Sequence, residues 1–169
     1  MREIETKILE IDVKKVVEKI EKLGGEKIFE GDIKTYIFDT EDRKLKNSGS
    51  QLRIRDVDGK FVLGVKIEKS RGKAKVMDEY EVAVENFDTM KKILESLGYS
   101  LIQVVEKHRI SYRLEGCRID IDKIEGIPIF LEIEGPDEEK VVDCANVLGF
   151  SKKDLKSWTI FDVLEKYKT

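Results

Sequence analysis

The 169-residue sequence has two prolines, two cysteines and one histidine. So little proline leaves long elements uninterrupted. Cys117 and Cys144 lie 27 residues apart, a spacing that matches neither zinc nor thiol-redox motifs, and they read as buried reduced thiols. A single histidine, His108, excludes a histidine-based metal cluster and reads as a surface residue. No window approaches the ~18 apolar residues of a membrane span, and Met1–Glu5 carries no apolar signal core, so a cytoplasmic protein is expected. Charge of one sign is missing too. Lys and Arg number 32 against 35 Asp and Glu, a net charge of -3, which argues against a basic nucleic-acid binder and an acidic tail. No glycine-rich phosphate loop of the Walker type occurs. Abundant instead are charges of both signs, 40% of the residues, beside 40% hydrophobic residues that suffice for a core. The length suits a single domain spanning residues 1–169, with no linker dividing it.

Apolar residues at helical spacing predict helices over residues 12–23, 88–97, 137–148 and 152–167. Asp12 and Asp88 are candidate N-caps, Ser151-x-x-Asp154 resembles a capping box, and Gly24, Gly98 and Gly149 are candidate stops. Residues 2–9, 26–30, 34–39, 51–57, 60–68, 76–84, 101–106, 107–114, 117–123 and 129–134 read as strands, with Asp58-Gly59 as a hairpin turn. A faint repeat runs through them. Glu3/Glu5, Glu79/Glu81 and Glu132/Glu134 form Glu-x-Glu pairs, each followed by a helix that ends in Leu-Gly.

Residues two apart on a strand share a face. By that rule Glu3, Glu5 and Lys7 oppose Ile4 and Ile8, and Arg53 and Arg55 oppose Leu52 and Ile54. Glu79 and Glu81 oppose Tyr80 and Val82, and Lys107, Arg109 and Arg113 oppose Ile110, Tyr112 and Leu114. Arg118, Asp120 and Asp122 oppose Ile119 and Ile121; Glu132 and Glu134 oppose Leu131 and Ile133. An ordinary solvated sheet face mixes Thr, Ser, Gln and Lys. Here acids and bases are sorted by strand, while four amphipathic helices need an apolar surface to cover. An α+β fold satisfies both demands: a closed antiparallel β-barrel with a charged interior, a tunnel for one small ligand, and helices on the outside. Carboxylate rows suit Mg2+ or Mn2+, and guanidinium and ammonium rows suit phosphate oxygens. A polyphosphate that chelates a divalent metal needs both.

Glu3-Ile4-Glu5-Thr6-Lys7 resembles the ExExK signature of the CYTH family, the triphosphate tunnel metalloenzymes, which include class IV adenylate cyclases and thiamine triphosphatases. Leu52-Arg53-Ile54-Arg55, Lys66, Glu79-x-Glu81, Lys107-x-Arg109, Asp122-Lys123-Ile124-Glu125-Gly126 and Phe130-x-Glu132-x-Glu134 are similar to later family elements in the same order. Ser157-Trp158 with Asp162 and Leu164 resembles the C-terminal segment of the cyclase-named branch. The resemblance implies that Lys7, Arg53, Arg55, Lys66, Lys107, Arg109 and Lys156 bind the triphosphate of a small molecule. It implies that Glu3, Glu5, Asp122, Glu132 and Glu134 hold Mg2+ or Mn2+, and that Glu3, Glu5, Lys7 and Glu81 serve catalysis. Either a ribose hydroxyl attacks ATP to give cyclic AMP and pyrophosphate, or water hydrolyses thiamine triphosphate or tripolyphosphate. A non-catalytic polyphosphate- or nucleotide-binding module is the alternative of another class. A basic loop of Lys66, Lys69, Arg71, Lys73 and Lys75 could bind RNA, but it lacks interleaved aromatics and reads better as a solvated hairpin or mobile lid.

Overall fold

The computed structural model describes residues 2–167. Eight antiparallel strands close into a barrel in the order β1-β5-β4-β3-β2-β6-β7-β8. They are β1 (Arg2–Ile8), β2 (Glu26–Asp39), β3 (Gln51–Val57), β4 (Lys60–Arg71), β5 (Lys75–Val84), β6 (Ser100–Leu114), β7 (Cys117–Lys123) and β8 (Phe130–Gly135). The helices are α1 (Val13–Lys22), α2 (Lys44–Asn47), α3 (Phe87–Ser96), α4 (Glu138–Val147) and α5 (Ile160–Lys166). None of the described helices is long and apolar enough to cross a membrane.

A row of apolar strand residues faces outward, as alternation requires. Ile4, Ile8, Ile119, Ile121, Leu131 and Ile133 leave the barrel wall to pack under Val16 and Ile20 of α1 and Val141, Cys144 and Ala145 of α4. Leu94 of α3 packs on Phe38 and Ile54. Fully burying one such side chain contributes roughly 1.5–3 kcal/mol, so the helices complete the core rather than decorate it. Three of them end alike. Gly24, Gly98 and Gly149 adopt φ of 80°, 89° and 96°. The next residue's N–H returns to the carbonyl five residues back in each case: Gly25 to Ile20 (2.9 Å), Tyr99 to Leu94 (3.0 Å) and Phe150 to Ala145 (3.0 Å). Only glycine takes that left-handed step without cost.

Several expected boundaries move. The two expected strands at 26–30 and 34–39 are one strand, as are 101–106 and 107–114, because β2 and β6 pair along nearly their whole lengths. The break suggested by Gly31-Asp32 is absorbed in the strand, where Gly31 leaves room for the Phe29 ring. Asn86, not Asp88, caps α3 by accepting from the Thr89 N–H (2.8 Å). The short α2 had no sequence signal; buried Asp39 holds it by accepting from Leu45 N and Lys46 N (3.0 and 2.9 Å).

The last helix begins eight residues later than its apolar pattern suggests. Lys156 pairs with Lys7 through both backbone hydrogen bonds (2.9 and 2.8 Å), on the flank of β1 that β5 has already left. That pairing keeps the chain extended, so Ser151 and Asp154 close only a turn (2.7 Å). The true capping box is Thr159 with Asp162. Val163 then packs on Ile37, Val105 and Phe130, which point into the barrel, so α5 covers one end of it.

Ile119 lies at 0% exposure beneath α1 and α4, whereas Val82 on the bare outer face of β5 is 58% exposed. Ile119→Ala is expected to lower stability by about 2–5 kcal/mol and Val82→Ala by less than ~0.5 kcal/mol. Urea unfolding midpoints at unchanged slope measure both, and equal losses would contradict the placement of the core outside the barrel.

Candidate active site: a charged tunnel

Strand order sorts the charges into walls. The Glu-x-Glu strands β8, β1 and β5 are neighbours in the barrel, although they are far apart in sequence. Their inward residues are Glu132 and Glu134, Glu3 and Glu5, and Glu79 and Glu81. On one flank of this acidic wall β4 and β3 supply Lys66, Arg53 and Arg55; further round, β6 supplies Lys107 and Arg109. The walls enclose a cavity of about 290 Å³, to which Thr159, Ile160, Phe161 and Asp162 at the start of α5 also contribute.

Register then matches charge to charge. Lys7 lies opposite Glu132, Lys66 opposite Glu79, Arg109 opposite Asp122 and Glu5 opposite Lys75. Lys66 Nζ donates to Glu3 Oε1 (2.7 Å) and Lys7 Nζ to Glu5 Oε1 (3.0 Å). Arg53 Nη2 donates to Glu79 (2.7 Å), and Arg55 pairs with Glu81. Gly64 sits between those strands; a Cβ there would come 3.3 Å from the Glu81 side chain, so glycine leaves the crossing open.

Of the four buried side-chain polar atoms without a partner among the described residues, two lie on the cavity wall. Glu5 Oε2 and Arg53 Nε are both buried and unbonded. The first belongs to a group of three carboxylates, Glu3, Glu5 and Glu132, each with an oxygen within 4.8 Å of the others. An all-oxygen donor set with a free buried carboxylate oxygen fits a hard divalent cation such as Mg2+ or Mn2+. The second is a guanidinium N–H on the cavity wall, suited to an anion.

The carboxylates respond differently to this setting. Burial and the neighbouring Glu5 charge push the Glu3 carboxyl up to about 7, against the pull of Lys66. Burial would raise Glu5 as well, but the ammoniums of Lys7, Lys75 and Lys66 outweigh it and hold Glu5 well below the usual range. Burial lifts Glu134. Lys107 is lowered by burial and by the Arg109 charge.

Most of the residues singled out from sequence meet in this cavity: Glu3, Glu5, Lys7, Arg53, Arg55, Lys66, Glu81, Lys107, Arg109, Glu132 and Glu134 line it. Asp122 and Lys156 do not. Asp122 faces inward but is fully buried, with both oxygens taken by Arg109 (2.6 and 2.6 Å) and one also by Lys107 (2.7 Å). Lys156 turns its ammonium to the Lys153 carbonyl (3.2 Å) and meets the barrel through its backbone. Arg113, expected to face inward, is 64% exposed near the end of β6 and pairs loosely with Glu26 (3.9 Å).

The basic loop is not assembled for RNA. Lys66 and Lys75 are buried in the barrel, Lys69 pairs with Asp78 (3.2 Å), and Arg71 pairs with Glu68 (2.8 Å) and Asp162 (3.4 Å). Arg71 thus ties this hairpin to α5. His108 is a surface residue bonded to Asp32 (2.8 Å), and both cysteines are free and buried. Lys75 is a buried cavity cation that sequence reading missed. Starting β5 at residue 75 instead of 76 puts it in the row of Met77, Glu79 and Glu81, so the signal was present one residue outside the assumed strand.

Asp122 also makes a prediction. Burial opposes its charge, but Lys107 and Arg109 outweigh burial and depress its carboxyl below the ordinary value. A depressed carboxyl adds stability that is present above the unfolded value near ~3.9 and fades as pH falls through the folded value. Asp122→Asn is expected to cost about 3 kcal/mol or more at pH 7, because it leaves buried cations underpaired. The gap to the parent should narrow in acid. Urea midpoints at both pH values check this, and a gap that widens in acid contradicts the pairing.

With this geometry known, comparison with other proteins is direct. Residues 1–156 match the CYTH domain family. A Methanocaldococcus jannaschii protein provisionally named an adenylate cyclase is 36% identical over 137 residues, covering 79% of this chain and 77% of that one. Among solved structures, a Vibrio parahaemolyticus protein superposes with TM-score 0.83 at 22% identity over 96% and 97% of the two chains. A Pyrococcus horikoshii protein gives 0.82 at 24% identity over 98% and 99%. A Hippeastrum protein, provisionally named an adenylyl cyclase and described as having a dominant triphosphatase activity, gives 0.73 at 21% identity over 99% and 97%. These structural likenesses establish the fold, while the domain match and the M. jannaschii relative establish the kinship: the chain belongs to the CYTH family.

Proposed function

We propose that the tunnel binds the triphosphate of a small molecule and that the protein is a divalent-metal-dependent enzyme acting on it, with ATP cyclisation to cyclic AMP and pyrophosphate as the leading reaction. The observation that carries this reading is the pairing of an acidic wall with a free buried oxygen on Glu5 against a basic wall with a free N–H on Arg53. A site built only to hold phosphate needs the cations and few acids, which disfavours a passive binding module. The cyclase name of the M. jannaschii relative leans the same way.

Arg53, Arg55, Lys66, Lys107 and Arg109 grip phosphate oxygens, and Arg109 is aimed by Asp122. Glu3, Glu5 and Glu132 hold the metal, with Glu134 beside them on β8. A divalent ion held by these carboxylates would supply positive charge against the phosphates and would acidify the attacking hydroxyl or water. Lys7, between Glu5 and Glu132, adds positive charge where the acids and phosphates meet. Glu79 and Glu81 orient the two arginines of β3. Positioning and electrostatics of this kind account for most of the catalysis of phosphoryl and nucleotidyl transfer. Beyond the charged rows, Ile33, Ile37 and Val105 form an apolar stretch of wall close to Phe161, suited to the organic end of a nucleotide.

A panel of ATP, GTP, thiamine triphosphate and tripolyphosphate with Mg2+ or Mn2+ tests the reaction. Cyclic AMP with pyrophosphate supports the leading reading. Release of phosphate instead reassigns the enzyme as a triphosphatase, the activity described for the Hippeastrum protein. No product from any substrate overturns the enzymatic reading. Glu132→Ala and Glu134→Ala are each expected to lower metal-dependent turnover at least ~100-fold with the fold intact by circular dichroism. Parental activity in both would remove the metal assignment. Arg53→Ala and Arg55→Ala should raise KM for triphosphates roughly tenfold or more. An equal rise for an uncharged analogue would argue against phosphate contact.

A further inference from the structure

Lys75 is a cation on the wrong wall. The strands β8, β1 and β5 present carboxylates to the cavity, and apart from Lys7 the one base among their inward residues is Lys75. It is 4% exposed. Its Nζ lies 2.7 Å from Glu5 Oε1 and 3.4 Å from the Trp158 carbonyl oxygen. It therefore touches the carboxylate group directly and stands apart from the basic wall.

The balance within that group is close. Glu3 is held by Lys66 (2.7 Å), Glu132 by Lys7 (3.2 Å) and Arg109 (3.4 Å), and Glu5 by both Lys7 (3.0 Å) and Lys75 (2.7 Å). Three carboxylates are thus met by three ammoniums and one guanidinium. Lys75 has no second carboxylate partner among the described residues, so a free divalent cation that reaches Glu5 must push this ammonium off a buried carboxylate, and an unpaired buried charge is strongly unfavourable. A triphosphate supplies the missing anions. The ammoniums can then re-pair with phosphate oxygens and release the carboxylates.

We propose that Lys75 is a positioning residue that shields Glu5 from free divalent cations until a triphosphate arrives, so that cation and triphosphate load together. This role rests on the reading of the cavity as a triphosphate site. Coupling of this sort is reciprocal: whatever factor the triphosphate adds to cation affinity, the cation adds to triphosphate affinity.

The test measures binding rather than turnover. Free Mn2+ is followed by electron paramagnetic resonance as it is titrated into the protein without any anion. Lys75→Met keeps the stem and removes the charge; it is expected to bind Mn2+ about tenfold more tightly than the parent. Lys75→Arg keeps the charge and should stay as weak as the parent. Lys69→Met removes the same charge from the neighbouring hairpin, where exposed Lys69 pairs with half-buried Asp78, and should change nothing. Lys75→Gln serves if the Met variant does not fold. In turnover, Lys75→Met should raise KM for the triphosphate more than it lowers kcat. Unchanged Mn2+ affinity in folded Lys75→Met or Lys75→Gln, or an equal gain in Lys69→Met, overturns the proposal. Calorimetry of the parent with a non-hydrolysable imido analogue of tripolyphosphate and Mn2+ separates the two readings. No binding there removes the triphosphate site and the role of Lys75 with it, whereas binding with unchanged Mn2+ affinity in the variants removes only Lys75.

Discussion

Ionised groups can line a protein interior only when each meets its opposite, because removing a charge from water costs several kcal/mol even after relaxation. That constraint organises this molecule. The acids of β8, β1 and β5 require cations within reach, so the register sets Lys7 against Glu132, Lys66 against Glu79 and Lys75 against Glu5. Arg113 leaves the interior and Lys75 joins it. The apolar halves of the same strands are thereby committed to the outside. A barrel with a polar interior must obtain its hydrophobic core from helices, and α1, α3 and α4 supply it.

The pairs that line the tunnel also bear on what it can bind. Buried ion pairs are weak sources of net stability, since hydrophobic residues of similar volume would often serve as well. Keeping so many of them makes physical sense where a charged ligand exchanges partners with both walls. Glu5 and Arg53 show it best. Each is pinned by one or more ion pairs yet keeps a buried polar atom unused. Asp122 marks the opposite extreme: it spends both oxygens on Arg109 and Lys107 and acts by aiming those cations.

Much of this was legible in the residues. Period-two alternation placed Glu3, Arg53, Lys107 and Glu132 on one face without any knowledge of the fold, because a strand permits no other arrangement. What alternation cannot supply is where a strand begins or which strands become neighbours. Lys75 was lost to a one-residue boundary error. Lys156 was misplaced because its neighbourhood looks helical, and only the long-range bridge to Lys7 keeps it extended. That bridge joins residues far apart in sequence, and local propensity carries no information about it. The pairing of Asp122 was out of reach for the same reason. Asp122 lies in the correct row, but its oxygens are claimed by a partner across the β6–β7 pair that only the register reveals.

The recurring Glu-x-Glu and Leu-Gly signature connects these levels. Each pair begins a strand–helix unit, β1–α1, β5–α3 or β8–α4, and each helix stops at a left-handed glycine with the same returning hydrogen bond. Along the chain the units are scattered. In the barrel their strands are consecutive, which is what gathers six carboxylates onto one wall. Gathering them in a buried wall raises Glu3, first through burial and then through like-charge repulsion from Glu5, and the lysines inserted among them oppose this. A wall assembled in this way suits a doubly charged cation when the lysines have somewhere else to go. The basic strands flanking it suit the polyanion that draws them away. The acidic wall and its basic flanks therefore follow from the same strand order.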